Sequence, residues 1–270
     1  MKVKFISVNF NNSGETIKFI KSVNKFRSTE VEIQIVIVDN LSDKPDLRLL
    51  QQYVIACEFE INLIVSDMNL GYFGGLNRGL LFSDNSLFDY VLVGNNDVVF
   101  REDFIETLSS SDFDDDVMVV SPDIINRSGI HENPQLEGRA SLAMKLAFRA
   151  YFSFYFISIL VFNLSRILKK MRVRVVLDEP VSSRKIYQGS GAFYILTKSF
   201  FQYYNLLDDR VFLWGEERLL ANQVIERNAI TYYCRDLVVY HNENSSTSKL
   251  PSLDMWRLNK KSYSIYKNYM

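Results

Sequence analysis

The chain has 270 residues, 47% of them hydrophobic, and a formal net charge of −1 with a sequence pI near 6.2. That length suits one large α/β domain or a domain with an appendage, and the charge excludes a globally basic binder, so no nucleic-acid partner is expected. Cys57 and Cys234 sit in separate apolar stretches without metal-ligand spacing, which fits buried thiols in a reducing compartment. The run Met1 to Val8 has no h-region and no small-residue cleavage site, so a cytoplasmic location is expected.

Phe5 to Val8 reads as a first strand ending in the polar cluster Asn9 to Gly14. Ser13 can cap a helix with an apolar face of Ile17, Ile20, Val23 and Phe26. Ile33 to Val38 is a second buried strand, ending in Asp39-Asn40-Leu41-Ser42-Asp43. Pro45 then starts a helix carrying Leu47, Leu50, Tyr53 and Val54. Ile61 to Val65 is a third strand, leading into Asn69 to Gly79, with glycines at 71, 74, 75 and 79, and a helix through about Phe82. Tyr90 to Phe100 is an apolar run interrupted by Gly94-Asn95-Asn96-Asp97, as expected of a strand covered on both faces and ending in a polar tip. A helix around Phe104 to Leu108 and a strand at Val117 to Val120 follow. Asp112 to Asp116 reads as a solvated loop, because carboxylates adjacent in sequence rarely converge on one ion. Strand alternating with helix predicts a mostly parallel sheet with right-handed crossovers.

The character changes at Arg139. Ala150 to Ser165 has no charge, with Lys145 and Arg149 before it and Arg166, Lys169, Lys170, Arg172 and Arg174 after it. It is short for a spanning helix, which needs about 20 residues. Two readings compete: a buried helical hairpin or homodimer contact, and an interfacial segment on the inner membrane surface with basic flanks on anionic headgroups. Ile186 to Leu196 reads as a strand in which Gly189 and Gly191 allow close approach of a ligand or another backbone. A helix from Lys198 to about Tyr204, a helix from about Arg218 to Arg227, strands at Ile230 to Cys234 and Leu237 to Tyr240, a polar stretch at Ser245 to Ser248 and a helix near Met255 to Tyr269 complete the chain.

Four polar clusters fall at strand ends: Asn9 to Asn12, Asp39 to Ser42, Gly71 to Arg78, and Asn95 to Asp97. In a parallel sheet those ends share an edge, where ligands of open α/β sheets bind. The edge suits a nucleotide. Asp39 can accept hydrogen bonds from a base or ribose, Gly71, Gly74 and Gly75 let backbone approach, and Arg78 can face a phosphate. A tight turn explains the glycines equally well, and the spacing is not the dinucleotide fingerprint. Asp97 alone reads as a cap or as a metal ligand. With His241, which closes a strand, it could hold a cation whose other ligands are phosphate and water. His131 lies in a polar loop with no partner evident. Glu216 and Glu217 open a helix after Gly215 and read as dipole caps, or as a general base whose pKa is raised by the apolar lead-in Val211 to Trp214.

Taken together, these motifs resemble the inverting family 2 glycosyltransferases of GT-A fold, and most closely the bacterial rhamnosyltransferase type that builds O-antigens and capsules. The matching residues are Val8-Asn9-Phe10-Asn11 with Ile37 to Ser42, Asn69 to Gly79, Gly94 to Asp97, and Gly191-Ala-Phe with Phe212 to Glu217. The resemblance covers about residues 3–126 and 186–246. It implies a Rossmann-like, mostly parallel sheet flanked by helices; residues 127–185, which match nothing in the family pattern, are expected from their own composition to be a helical apolar insertion that serves the acceptor, the membrane or a dimer contact, and 247–270 a C-terminal helical tail. Residues 1–126 would form the nucleotide-sugar half and 186–246 the acceptor and catalytic half. The donor would be a nucleoside-diphosphate sugar, dTDP- or UDP-linked, and the acceptor a saccharide, free or polyprenyl-diphosphate-linked. By that resemblance Asp97 and His241 hold Mg2+ or Mn2+, and Glu217, or Glu216 beside it, is the catalytic base. Asn9, Asn11, Asp39, Asn40, Ser42, Gly71, Gly75, Asn77, Arg78, Asn95, Asn96 and Gly191 would line the donor site.

The chain departs from the family pattern at two positions: Asn95 stands where the motif ordinarily has its first acid, and Glu217 where it ordinarily has aspartate. The alternatives are a nucleotidyltransferase on a similar sheet and a non-catalytic sugar-nucleotide or membrane-binding module. Against the first, Asn9 to Gly14 has one glycine and no Lys or Arg.

Overall fold

The structure is a computed structural model. It describes residues 1–28, 30–172, 181–242 and 252–270, and for 164–172 it describes the backbone alone. The expected polar stretch Ser245 to Ser248 and the side chains of the second basic flank lie outside the described residues.

In chain order the elements are β1 (Lys2–Asn9), α1 (Ser13–Asn24), β2 (Glu32–Asp39), α2 (Lys44–Ala56), β3 (Asn62–Val65), α3 (Tyr72–Leu80), β4 (Tyr90–Asn95), β5 (Val98–Phe100), α4 (Phe104–Ser110) and β6 (Val117–Asn126). Then come α5 (Leu142–Tyr151), α6 (Tyr155–Arg172), β7 (Arg184–Ile186), β8 (Phe193–Thr197), α7 (Lys198–Phe201), α8 (Glu216–Glu226), β9 (Ile230–His241) and α9 (Leu253–Tyr266). The strands form one sheet in the order β3-β2-β1-β4-β8-β6-β9-β5, with β7 also on β9. The first four of that order are mutually parallel. β8 enters antiparallel between β4 and β6, and β6 and β9 are parallel.

Alternate residues of each central strand enter opposite cores, as a pleated strand covered on both faces requires. Phe5, Ile35, Ile37 and Leu92 face Phe19, Val23, Leu50 and Phe104 of α1, α2 and α4. Ile6, Val36, Val91 and Val93 face Leu76, Leu80, Phe200, Leu220 and Val224 of α3, α7 and α8. Phe100 anchors β5 by packing on Phe5, Phe19, Phe26, Phe104 and Phe193, with ring centroids 4.9–6.0 Å away.

Three elements differ from the sequence reading. Gly74, Gly75 and Gly79 lie within the helix α3, and Gly71 caps its N-terminal end. A β-carbon at Gly75 would sit 2.9 Å from a Val8 methyl, and one at Gly79 would meet Ile6, so these glycines let α3 lie close on β1. Ile230 to Tyr240 is one strand, because the polar Arg235-Asp236 break is absorbed as a bulge against Pro122 and Asp123. Tyr187 to Ala192 is a loop between β7 and β8, pinned by the Tyr194 hydroxyl, which donates to the Gly189 carbonyl at 3.0 Å.

The apolar segment forms the helical hairpin α5–α6, and among the described residues no helix is long and apolar enough to cross a membrane. The hairpin packs on α9. Phe152 stacks on Tyr263 with centroids 4.5 Å apart, and Trp256 Nε1 donates to the Tyr151 carbonyl at 3.2 Å.

Candidate active site

Strand register brings the polar tips together. Asn9 lies opposite Asp39 in the β1–β2 pair, and Val8 opposite Asn95 in the β1–β4 pair. Asp97 occupies the turn between β4 and β5. Because β5 runs antiparallel to β9 with Val98 opposite His241, the imidazole arrives beside the carboxylate.

His241 Nε2 lies 3.2 Å from Asp97 Oδ1 and 3.4 Å from Asn95 Nδ2. Its other ring nitrogen, Nδ1, meets Glu132 Oε1 at 2.9 Å. Glu132 Oε2 in turn accepts from the Ser190 hydroxyl at 3.0 Å. Glu132 reaches this position because the chain folds back after β6. Ile125 bridges His131, and the Glu132 N–H donates to the Ile124 carbonyl at 2.8 Å. Burial opposes a charge on His241, but its contacts with Asp97 and Glu132 outweigh burial and raise its pKa to about 10. The ring thus lies between two carboxylates, and a cation held at Nε2 would take the place of the proton there.

Asp97 Oδ1 is buried and has no aligned hydrogen-bond donor. A buried, unsatisfied carboxylate oxygen is costly, and its natural complement is a cation. An oxygen and an imidazole nitrogen set side by side suit a divalent metal, and Glu132 on Nδ1 is the buttress that fixes tautomer and ring orientation. Among the described residues no group of three or more His, Cys, Asp or Glu side chains is arranged to hold a metal. Diphosphate and water would therefore have to complete the coordination.

The glutamates arrive from the other flank. Trp214 and Gly215 have φ of 66° and 96°, a sharp left-handed turn that is strained at the tryptophan and feeds α8. Glu216 is 3% exposed, and its Oε1 has no partner. Burial, and then the charge of Glu217, raises its pKa to about 8. Glu217 is half-buried, and burial raises its pKa as well. Its carboxylate lies on Gly191, where a β-carbon would come within 2.6 Å of Oε1. The Tyr72 hydroxyl donates to the Gly191 carbonyl at 2.7 Å. Burial, followed by the charges of Glu216, Glu217 and Asp97, pushes the Tyr72 pKa well above its usual value. Tyr72 therefore lies within electrostatic reach of both carboxylate groups, the aspartate and the glutamates.

The remaining predicted residues form a lattice that ties the loops together. Asn9 Nδ2 lies within hydrogen-bond distance of Asp39 Oδ2 at 2.8 Å, Asp46 Oδ2 at 2.9 Å and the Ser42 hydroxyl at 3.0 Å. Asn96 donates to the Thr16 hydroxyl at 2.7 Å, and Thr16 donates to Asn9 Oδ1 at 2.7 Å. Asn11 Oδ1 accepts from the Asp43 N–H. Asn40 donates to the Gly71 carbonyl and accepts from the Leu70 N–H. Asp39 is fully buried. Asn77 is turned away from the other clusters and engaged by the loop after α7. It donates to the Leu207 carbonyl and to Asp209, and accepts from the Leu207 N–H. Arg78 stands exposed on α3.

Several contacts and participants are absent from the sequence reading. His131 has a partner after all: Nδ1 lies 2.8 Å from the buried Asp123. Asp46 accepts from Asn9 and from Ser13. Burial opposes its charge, yet the hydrogen bonds from Asn9, Ser13 and Ser42 hold its pKa below the usual range. Its signal was its place in the first turn of α2, after the Asp43 cap. Glu132 and Tyr72 had no local signal, since each matters through a residue remote in sequence.

Three solved structures show the same fold. S. aureus TarS superposes with a TM-score of 0.56 at 13% identity, over 90% of this chain and 60% of that one. GalNAc-T7 with UDP, GalNAc and Mn2+ gives 0.62 at 14% identity, over 100% of this chain and 49% of that one. The mannosyltransferase PcManGT from Pyrobaculum calidifontis, in complex with GDP-Man and Mn2+, gives 0.57 at 12% identity, over 91% and 58%. The chain thus spans about half to three-fifths of these compared chains, the TarS one being residues 1–349, and 37% of the longer TarS structure, and at such identities the likeness is one of fold. No curated relative matches in sequence. The glycosyl transferase family 2 model matches residues 5–164, a stretch that holds Asn9, Asp39 and Asp97 and ends before Gly191, Glu217 and His241. With more than half of its length matched, the chain belongs to glycosyl transferase family 2.

Proposed function

We propose that this chain transfers a sugar, with inversion, from a nucleoside-diphosphate sugar to a hydroxyl of a saccharide or polyprenyl-diphosphate-linked saccharide. The observation that carries the reading is the convergence on Tyr72 of Asp97, paired with His241, and of Glu217, which lies on the Gly191 that Tyr72 holds. The acceptor oxygen bonds to the anomeric carbon as the bond from that carbon to the diphosphate oxygen breaks. Glu217 takes the acceptor proton. It is the better base of the two glutamates because it is partly open, whereas Glu216 is sealed in the core, and a carboxyl pKa raised by burial suits proton abstraction near neutral pH.

Asp97 and His241 would hold Mg2+ or Mn2+, with Glu132 orienting the histidine. Such a cation, when bound, offsets the charge that develops on the departing nucleoside diphosphate. Mn2+ accompanies a nucleotide or nucleotide sugar in two of the structural neighbours, which supports the assignment. The lattice of Asn9, Asp39, Ser42 and Asp46 keeps the loops of the nucleotide half in place. Roles in O-antigen or capsule synthesis and rhamnosyl specificity are part of the same proposal and follow from the sequence resemblance.

A thermal-shift screen of UDP- and dTDP-sugars with and without Mn2+ tests it, since a ligand of the folded state raises stability with the logarithm of its excess over Kd. The expected outcome is a stabilising donor whose effect needs Mn2+ and is lost in Asp97→Ala. Donor binding without release of nucleoside diphosphate, over a panel of acceptors, would mark a non-catalytic module instead.

A further inference from the structure

We infer that the α5–α6 hairpin is a docking surface for an anionic lipid bilayer and that it holds the Glu217 side of the site against that surface. Each helix keeps an apolar stripe facing solvent. On α5 the stripe is Leu142, Leu146 and Ala150, spaced four apart, and on α6 it is Phe156 and Leu160. Leu142, Leu146, Phe156 and Leu160 are between 55% and 72% exposed. The inward residues Phe148 and Phe152 are the ones that meet α9. An apolar face of this kind on an exposed hairpin marks an interaction site.

The charge pattern selects the occupant. Residues 138–177 contain eight Lys or Arg and no Asp or Glu. Lys145 and Arg149 lie beside the α5 stripe, both exposed, and neither forms an ion pair among the described residues. A second copy of this chain, docked about a twofold axis, would set this cationic patch against itself. A nucleic acid would leave the leucines and phenylalanines without an apolar partner. An anionic bilayer supplies both an apolar boundary and negative headgroups.

The link to the site is Arg218, which follows Glu217. Its guanidinium is nearly buried between the Phe148 ring of α5, at 4.9 Å, and the Tyr266 ring of α9, at 5.2 Å. The lipid-facing helix is thus one side chain removed from the residue beside the proposed base. The inference concerns membrane docking and stands independently of the reaction assigned above.

The test is co-sedimentation of the full chain with phosphatidylglycerol/phosphatidylcholine vesicles and with pure phosphatidylcholine vesicles. Binding to the anionic vesicles is expected, falling as NaCl rises. Lys145→Ala/Arg149→Ala should weaken it on the order of tenfold or more, and Leu146→Glu/Phe156→Glu should abolish it. Because all four side chains are exposed or rim positions, unchanged circular dichroism and melting are expected in both variants. A pair of variants that unfold is replaced by Leu142→Ser/Leu160→Ser, for which the same loss is expected. Absence of sedimentation with anionic vesicles overturns the inference. So does binding undiminished in the apolar variants, or a dimer in light scattering that Leu146→Glu dissociates. Because the readout needs neither donor nor acceptor, failure here leaves the glycosyl-transfer reading untouched, and the reverse also holds.

Discussion

His241 presents Nε2 to Asp97 Oδ1 at 3.2 Å, although Asp97 lies in the turn after β4 and His241 at the end of β9. The antiparallel β5–β9 pairing sets Val98 opposite His241, so the register itself decides that these two side chains meet. Asp97→Ala should abolish transfer and remove the Mn2+ dependence of donor binding while the chain stays folded. Isothermal titration of Mn2+ in the presence of UDP checks this, and unchanged affinity in the variant would exclude Asp97 as a ligand.

Glu132 acts on the same pair from behind. It holds His241 Nδ1 at 2.9 Å, and removing such a buttress typically costs about 10–100-fold in metal affinity. Glu132→Ala is expected to show that loss in Mn2+ titration, with a smaller loss in Glu132→Gln, which keeps an acceptor for Nδ1–H. Equal Mn2+ affinity in wild type and both variants would remove Glu132 from the metal site.

The contrast between Asp97 and Glu132 shows what a sequence can carry. β1 to β4, their polar tips and Asp97 were legible because each is a local pattern: an apolar run that stops at a polar turn. The pair of glutamates after Gly215 was legible for the same reason. Glu132 was not, because its role depends on the chain folding back at Ile125 and His131, and nothing around it in sequence encodes where that return leads. The long β9 read as two strands because Arg235 and Asp236 resemble a turn, and only the neighbouring β6 turns that break into a bulge. The glycines at 71, 74 and 75 read equally as a ligand approach or a tight turn, and the sequence carries no signal for the close packing of α3 on Val8 and Ile6 at Gly75 and Gly79.

Glu217 and Glu216 should separate in a kinetic test. Glu217→Gln removes the proton acceptor and is expected to lower kcat by about 10²–10⁴-fold, the usual range for a general base, with donor affinity retained. Glu216→Gln should preserve most of the turnover, since its side chain is buried. Steady-state kinetics on both variants decides the assignment, and near-normal turnover of Glu217→Gln would transfer the role elsewhere.

Glu216 also predicts a pH dependence of stability. Its folded-state pKa is raised from 4.5 to about 8 by burial and by Glu217. Between those values the unfolded chain is ionised and the folded chain retains the proton, so the unfolded state binds fewer protons and stability falls as pH rises through the window. Glu216→Gln removes that proton linkage. The variant should match wild type near pH 4.5 and exceed it by roughly 2–4 kcal/mol near pH 9. Denaturant unfolding across pH 4.5–9 measures it, and a difference between the two proteins that stays constant with pH contradicts the assignment.

Gly191 sets where Glu217 can rest. A β-carbon there would approach Glu217 Oε1 to 2.6 Å, too close to coexist with the observed rotamer, while the Tyr72 hydroxyl holds the same residue's carbonyl at 2.7 Å. Gly191→Ala should therefore push the carboxylate aside and leave the backbone in place. A displacement of about 1 Å at a reacting group can cost on the order of 100-fold in rate. The expected signature is a fall in kcat of that order with the donor Kd and the Mn2+ affinity both near wild type, because Asp97 in the β4–β5 turn and His241 on β9 are separate from the Gly191 loop. Tyr72→Phe, which frees the Gly191 carbonyl without adding volume, should cost less. If Gly191→Ala instead weakens Mn2+ or donor binding while sparing kcat, the glycine belongs to the donor pocket, as the sequence resemblance first implied, and the link between Gly191 and the position of the base is lost.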